Sequence, residues 1–371
     1  MCAHRMLRAS SPRSPNPRRV RQTESACTFF LSKMSVPKSV TWLNRFAWLS
    51  AVATLLLICS GGMVTSKGVG LAVPDWPTTF GYNMFLFPVS KWIGGVFFEH
   101  THRLIASTVG MLTIILAVWL WFAESRRWVR MLGLAAVGAV ILQGILGGLR
   151  VTMLKDQIGI FHACLAQAFF ALMVIIALVN SRFWREHVAA IRDGELLRGI
   201  ALLTTVLIYV QLALGATMRH QHRDLSITDF PTAYGQWIPD TSPAAIAAIN
   251  AARDRIGMSD VSAAQIWLQM AHRFGAVLVA IGVIWFFVSV HREKISPVRG
   301  LSTAWLIGVF VQLGLGAWTI WSNKAADVAT THVAVGATML GLGAVICAFC
   351  SRRIETPVSR THQLRSDPAI V

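Results

Sequence analysis

Four histidines stand in two pairs of equal spacing, His102 with His162 and His272 with His332. The members of each pair are 60 residues apart, and the pairs are offset by 170. The leading histidines sit in parallel settings, EHTHRLIAST from Glu99 and QMAHRFGAVL from Gln269, so the His-Arg step is made twice. One such imidazole alone is more often a hydrogen-bonded residue at a helix end than a ligand. Four of them in otherwise apolar segments point to ligation, because ionisable groups there are costly and default to function. Zinc takes three or four protein ligands, usually with Cys or carboxylate among them, and the second pair has no carboxylate beside it. A haem needs axial ligands, an apolar slot and cations for its propionates. The pattern therefore reads as two haem-sized pockets, with Arg103 and Arg273 as cofactor-binding cations. The plainer reading of those arginines is interfacial snorkelling.

The one changed residue is informative. Glu99 lies three before His102, on the same helical face, and Gln269 holds the matching place before His272. Equivalent ligands with a single carboxylate suggest a division of labour: a cofactor or electron-transfer site in the second pocket, and chemistry assisted by Glu99 in the first. A glutamate near a helix N-terminus also suits the helix dipole, but that does not explain why the partner repeat lacks it.

Long apolar helices must position these groups. The chain has mean hydropathy +0.56, 54% hydrophobic residues and 14% charged ones, outside the range of ordinary soluble domains. Eight segments are long enough to cross a bilayer: about 45–65, 97–121, 131–150, 159–180, 199–218, 265–290, 301–321 and 328–350. Trp42, Trp92, Trp128, Trp184, Trp267 and Trp321 fall near their ends, where amphipathic rings prefer to sit. The fold class expected is an all-α polytopic membrane protein, two tandem four-helix bundles in a lipid bilayer. With an even number of spans both termini share one side, and 23 of the 34 Lys and Arg residues fall on it. That is the positive-inside pattern with cytoplasmic termini, so the net charge of +17 reports topology and not a nucleic-acid partner. The expected location is the cell membrane, in preference to the mitochondrial inner membrane.

The chain is an internal repeat. Leu71–Gly81 (LAVPDWPTTFG) matches Leu225–Gly235 (LSITDFPTAYG), and QGILGG from Gln143 is echoed by QLALGA from Gln211 and QLGLGA from Gln312. Four helices separate the halves, so both enter the membrane from the same side and an axis along the membrane normal relates them. The first unit is 42–180 and the second 181–350, flanked by a basic, disordered tail (1–41) and a cytoplasmic tail (351–371). All four histidines begin even-numbered spans and so share one depth, near the outer face. Steps such as Gly144–Gly148 and Gly314–Gly316 read as close helix contacts.

The Arg-, Ser- and Pro-rich first 40 residues superficially match a transit peptide. A disordered tail, or a true start at Met34, are the plainer readings. The six cysteines avoid the outward loops, which gives no disulfide framework, and Cys347-x-x-Cys350 reads as packing in an apolar helix.

The E-x-x-H-R step, GG-x-V-T-S, PDWPTTFGYNMF, FHACLAQ, A-H-R-F-G and T-H-V-A-V-G-A, in this order from about Trp42 to Ala348, together resemble the haem A synthase family. That resemblance implies an oxidoreductase that oxidises the C8 methyl of haem O to a formyl group, giving haem A for cytochrome oxidase. It implies that His102 and His162 hold the substrate haem and that His272 and His332 ligate the iron of a haem b cofactor. Glu99 matches the family's essential acid, the catalytic residue. A carboxylate there takes a proton from the methyl group or stabilises positive charge developing on it. Two hydroxylations and loss of water give the aldehyde. Water attack after electron removal and an oxygenase-like route with one histidine displaced both remain open. Implied partners are haem O, an unidentified electron acceptor or donor, haem O synthase and cytochrome oxidase assembly factors. Many members of the family carry cysteine pairs in the outer loops, whereas this chain has Val73-Pro74 and Ile227-Thr228 there. Asp75 and Asp229 read as residues that fold the loops into lids.

Two other readings stand beside this one. A di-haem electron-transfer cytochrome explains the histidines but not the Glu99/Gln269 difference. A transporter would place polar groups at the membrane midplane, whereas these cluster towards one face.

Overall fold

Eight helices long and apolar enough to cross a membrane dominate the computed structural model, which describes residues 38–186, 195–220, 225–293 and 295–351. In order these helices are α1 (Lys38–Ser66), α2 (Gly94–Ala123), α3 (Arg127–Met153), α4 (Asp156–Val179), α6 (Glu195–His220), α8 (Ala263–Arg292), α9 (Ser296–Trp321) and α10 (Ala326–Cys350). The short α5 (Arg182–Glu186) follows α4, and α7 (Pro243–Asp254) lies in the loop before α8. The helices begin and end a few residues outside the apolar runs, because polar and capping residues extend them. Ser262 caps α8 in a reciprocal capping box with Gln265, and Ser242 with Pro243 starts α7. The expectations for the two tails, including Met34, Cys2 and Cys27, lie outside the described residues.

The helical bundle belongs to one compact unit that begins at Trp42. Hydroxyls within the spans satisfy themselves on the preceding turn: Thr54 donates to the Ser50 carbonyl, Thr113 to Val109 and Thr217 to Ala213. This removes the cost of polar groups in an apolar medium. In the second half α6, α8, α9 and α10 form a closed ring, each packed on the next. The first half has the same ring: α2 packs on α3 and α3 on α4. There α1 closes the circle through Phe46 against Trp119 of α2, and through Asn44, which donates to the Ala177 carbonyl of α4 at 2.8 Å.

The halves join through α4, which packs on α6 and α10. Half or more of α4 and α10 is buried, against 17% of α3 and α9, so the fourth helix of each repeat is central and the third peripheral. Gly341 of α10 lets Phe170 of α4 approach: a Cβ there would lie 3.2 Å from the ring. Cys350 is buried at the end of α10 and Cys347 contacts the Thr205 hydroxyl at 3.4 Å, in keeping with a packing role.

Candidate haem-ligating sites

Each of the four histidine rings rests on a glycine of a neighbouring helix. A Cβ on Gly61 (α1) would lie 3.0 Å from Cε1 of His102, one on Gly147 (α3) 3.4 Å from His162, one on Gly215 (α6) 3.2 Å from His272 and one on Gly316 (α9) 3.3 Å from His332. Four residues before three of these glycines stands a glutamine whose Nε2 donates to the backbone carbonyl of the same histidine. Gln143 reaches His162 at 3.0 Å, Gln211 reaches His272 at 2.7 Å and Gln312 reaches His332 at 3.0 Å. The echoed Gln-x-x-x-Gly is thus a cradle, in which the carboxamide fixes the histidine's backbone and the glycine leaves room for its ring. Helix α1 has Leu57 at the glutamine position. The reading of these glycines as helix contacts needs correction. Gly144 and Gly314 face open space, Gly148 receives the Trp76 indole, and Gly316 receives His332.

These rings fit axial ligation. The His272 and His332 ring centres are 6.4 Å apart with planes inclined by 65°. A metal–imidazole bond of ~2 Å on either side of one metal puts two ring centres ~6 Å apart. His102 and His162 lie close enough to interact electrostatically. All four Nδ1 atoms are buried without a hydrogen-bond partner. Each of the four histidines is, as a whole residue, half-buried. Among the described residues no group of three or more His, Cys, Asp or Glu could hold a metal ion. Two imidazoles per site suit a haem, which brings its other four ligands with it, and not a bare zinc ion.

Loops cover the ends of the helices that carry the leading histidines, and both are built alike. The Asp75 carboxylate accepts from Phe80 N–H at 2.7 Å, from Gly81 N–H at 2.9 Å and from the Thr78 hydroxyl. Asp229 accepts from Tyr234 N–H at 2.7 Å, Gly235 N–H at 3.0 Å and the Thr232 hydroxyl at 2.7 Å. Phe80-Gly81 and Tyr234-Gly235 all have positive φ, between 50° and 77°, the backbone of a two-residue type I′ turn. Burial disfavours charge on Asp75, but the donors of Gly81, Thr78 and Phe80 outweigh it and hold its carboxyl below the usual range.

Glu99 and Gln269 fasten these loops. Glu99, 4% exposed, accepts from Val73 N–H at 2.9 Å and from Arg103 at 2.7 Å. Gln269, 3% exposed, does both jobs itself: its oxygen accepts from Ile227 N–H at 2.8 Å and its nitrogen donates to the Ile227 carbonyl at 3.0 Å. In the first unit Arg103 supplies the missing donor, reaching the carbonyls of Val73, Asp75 and Thr78 at 2.7–3.0 Å. Arg273 likewise binds the carbonyls of Asp229 and Thr232 at 2.6 and 2.8 Å. Sequence position suggested that both arginines meet propionates; in the structure these donors go to loop carbonyls.

The match to known proteins falls on these same helices. Residues 44–344, which contain all four histidines and both loops, match the family model COX15-CtaA, described as Cytochrome oxidase assembly protein. The chain belongs to this family. Curated relatives named Heme A synthase include one from Shouchella clausii, 27% identical over 66% of this chain and 75% of its own length. Another from Lysinibacillus sphaericus is 26% identical over 81% and 92%, and one from Geobacillus kaustophilus 22% identical over 90% and 98%.

Within this family member, three groups near the histidine pairs had no role assigned from sequence. His100 is fully buried beside Phe87 and Trp92, ring centres 5.0 and 4.8 Å away, and meets the Thr79 hydroxyl at 3.2 Å. Met270 and Ala233 hold the equivalent places in the second unit. At the end of α3, Arg150 lies within electrostatic reach of His102 and His162, and Arg219, at the end of α6, within reach of Arg150 and His332. Arg150 could be noticed in the sequence as a charge closing an apolar span.

Proposed function

We propose that this chain is a haem A synthase, a membrane oxidoreductase that converts the C8 methyl of haem O to a formyl group and so provides haem A for cytochrome oxidase assembly. The observation that carries this reading is the coincidence of the family match with two glycine-cradled histidine pairs whose buried Nδ1 atoms have no partner. His102 and His162 hold the substrate haem O. His272 and His332 hold haem b, which when bound supplies one-electron transfer. The cradling glutamines orient the ligands by fixing backbone carbonyls, the role that outer-shell groups commonly play for metal-bound histidine.

Glu99 is the proposed catalytic residue. It is a buried carboxylate that retains accepting capacity beyond the two hydrogen bonds it makes. Held close to the first histidine pair, it stabilises positive charge or accepts a proton as the methyl group is oxidised. Arg103 and Arg273 serve the cofactor-binding sites by folding the loops that exclude water from them. The distribution of Lys and Arg supports a cell-membrane location with both termini cytoplasmic. An electron donor or acceptor, haem O synthase and oxidase assembly factors are the proposed partners.

The test is the identity of the haems extracted from the purified protein, made in a host that produces haem O but no haem A. Haem A or its hydroxymethyl intermediate beside haem b is expected. Haem b alone, with haem O available, would favour a di-haem electron carrier, and no haem at all would overturn the histidine assignment.

A further inference from the structure

We infer that Arg150 anchors a carboxylate of the porphyrin in the first pocket. This rests on the proposed haem reading and adds a substrate-binding residue to it.

Three observations converge. First, Arg150 makes no hydrogen bond with any described residue, whereas Arg103 and Arg273 spend donors on loop carbonyls. Its guanidinium lies close to Gly70, where a Cβ would be only 3.0 Å from one nitrogen. An arginine partly buried in a bundle without an acceptor is a costly arrangement unless an anion completes it.

Second, Arg150 and Arg219 lie close enough to repel. Arg219 spends its donors on the Gly62 carbonyl and the Ser66 hydroxyl of α1 and lies within electrostatic reach of His332, so Arg150 is the one of the two without an acceptor. The carboxylates that act on Arg150 are Glu99 and Asp156, and neither is hydrogen-bonded to it. A guanidinium without an acceptor suits a ligand carboxylate, which an Arg fork binds bidentately.

Third, the repeat positions of Arg150 and Glu99 differ in charge between the two units. Aligning Gln143 with Gln312 sets Arg150 opposite Thr319, as Glu99 stands opposite Gln269. The first unit holds an acid and a base where the second holds two neutral residues. An arginine that grips a propionate, within electrostatic reach of Glu99, holds the porphyrin's carboxylate edge within the same reach.

The test uses the full chain in detergent, titrated with haem b and with its dimethyl ester, following the Soret absorbance phase that disappears in His102→Ala. The wild type should prefer the free acid by at least ~10-fold, as loss of a charge-assisted hydrogen bond predicts. Arg150→Gln should reduce that preference below ~3-fold while binding the ester as the wild type does, and Arg150→Lys should restore part of it, since a point charge attracts but cannot fork. An unchanged preference in Arg150→Gln would overturn the assignment. Loss of preference in Arg103→Gln but not in Arg150→Gln would return the role to Arg103. Failure of either haem to bind would overturn the proposed function together with this inference.

Discussion

At the scale of single residues, the second pocket serves as a control for the first. Gln269 shows that a carboxamide fastens the loop as well as Glu99 does. Glu99→Gln should therefore keep the fold, the loop and the bound haem b, and lose conversion of haem O by at least ~100-fold, the scale of a lost acid–base group. Wild-type haem A output from that variant would remove Glu99 from the chemistry. The glycine cradles make a second prediction. Gly215→Val places two methyl groups against an imidazole that a bare Cβ would already approach to 3.2 Å. Misorientation of a ligand commonly costs 10–100-fold in metal affinity, so this variant should retain haem b ~10-fold less well, read from its pyridine haemochrome. The histidine pairs were legible in the sequence because their spacing repeats. The partners of Arg103 were not, because three of its four acceptors are backbone carbonyls of a loop whose path no periodicity announces.

At the scale of elements, the spans were readable and the loops only in part. Apolar runs of about twenty residues have few ways to satisfy their backbone in lipid, so all eight helices follow from composition. Helix α7 did not follow: it is a short helix inside a long loop, set by the Ser242-Pro243 start and by packing of Ile246 and Ile249 on the buried cluster of Ile227, Ala233, Val261, Ile266 and Met270. The role of Asp75 was legible, since the same Asp recurs in the same eleven-residue pattern. Its lowered carboxyl pKa fixes the direction of a pH effect. The stabilisation it gives the loop is complete above the unfolded value of ~3.9 and disappears as pH falls through the lower folded value. Fluorescence of the wild-type protein, with Trp76 packed on Gly148, should be steady from neutral pH to about pH 4 and change below it. Asp75→Asn should show the loosened signal at every pH. An acid transition surviving in that variant would assign the effect to another group.

At the scale of the whole molecule, the two halves meet through equivalent surfaces. Helix α4 packs on α10, its own counterpart, and on α6. Reciprocally, α10 meets α1, the counterpart of α6, where Thr330 lies against Gly62, Met63 and Ser66. Gly341→Leu should drive a side chain into Phe170 and Val174 across this joint and cost ~1–3 kcal/mol, the usual penalty of overpacking. A lowered thermal midpoint with haem contents unchanged is the expected result, and an unaltered midpoint would mean that the joint yields freely. A surface that meets its own copy in this way is the surface of a symmetric homodimer. In such a dimer each substitution appears in both subunits, so an acid gained for catalysis would also have to be borne by the partner site. Two copies joined in one polypeptide are free of that constraint, and Glu99 with Gln269 at the repeat-equivalent position is a divergence that a homodimer could not keep.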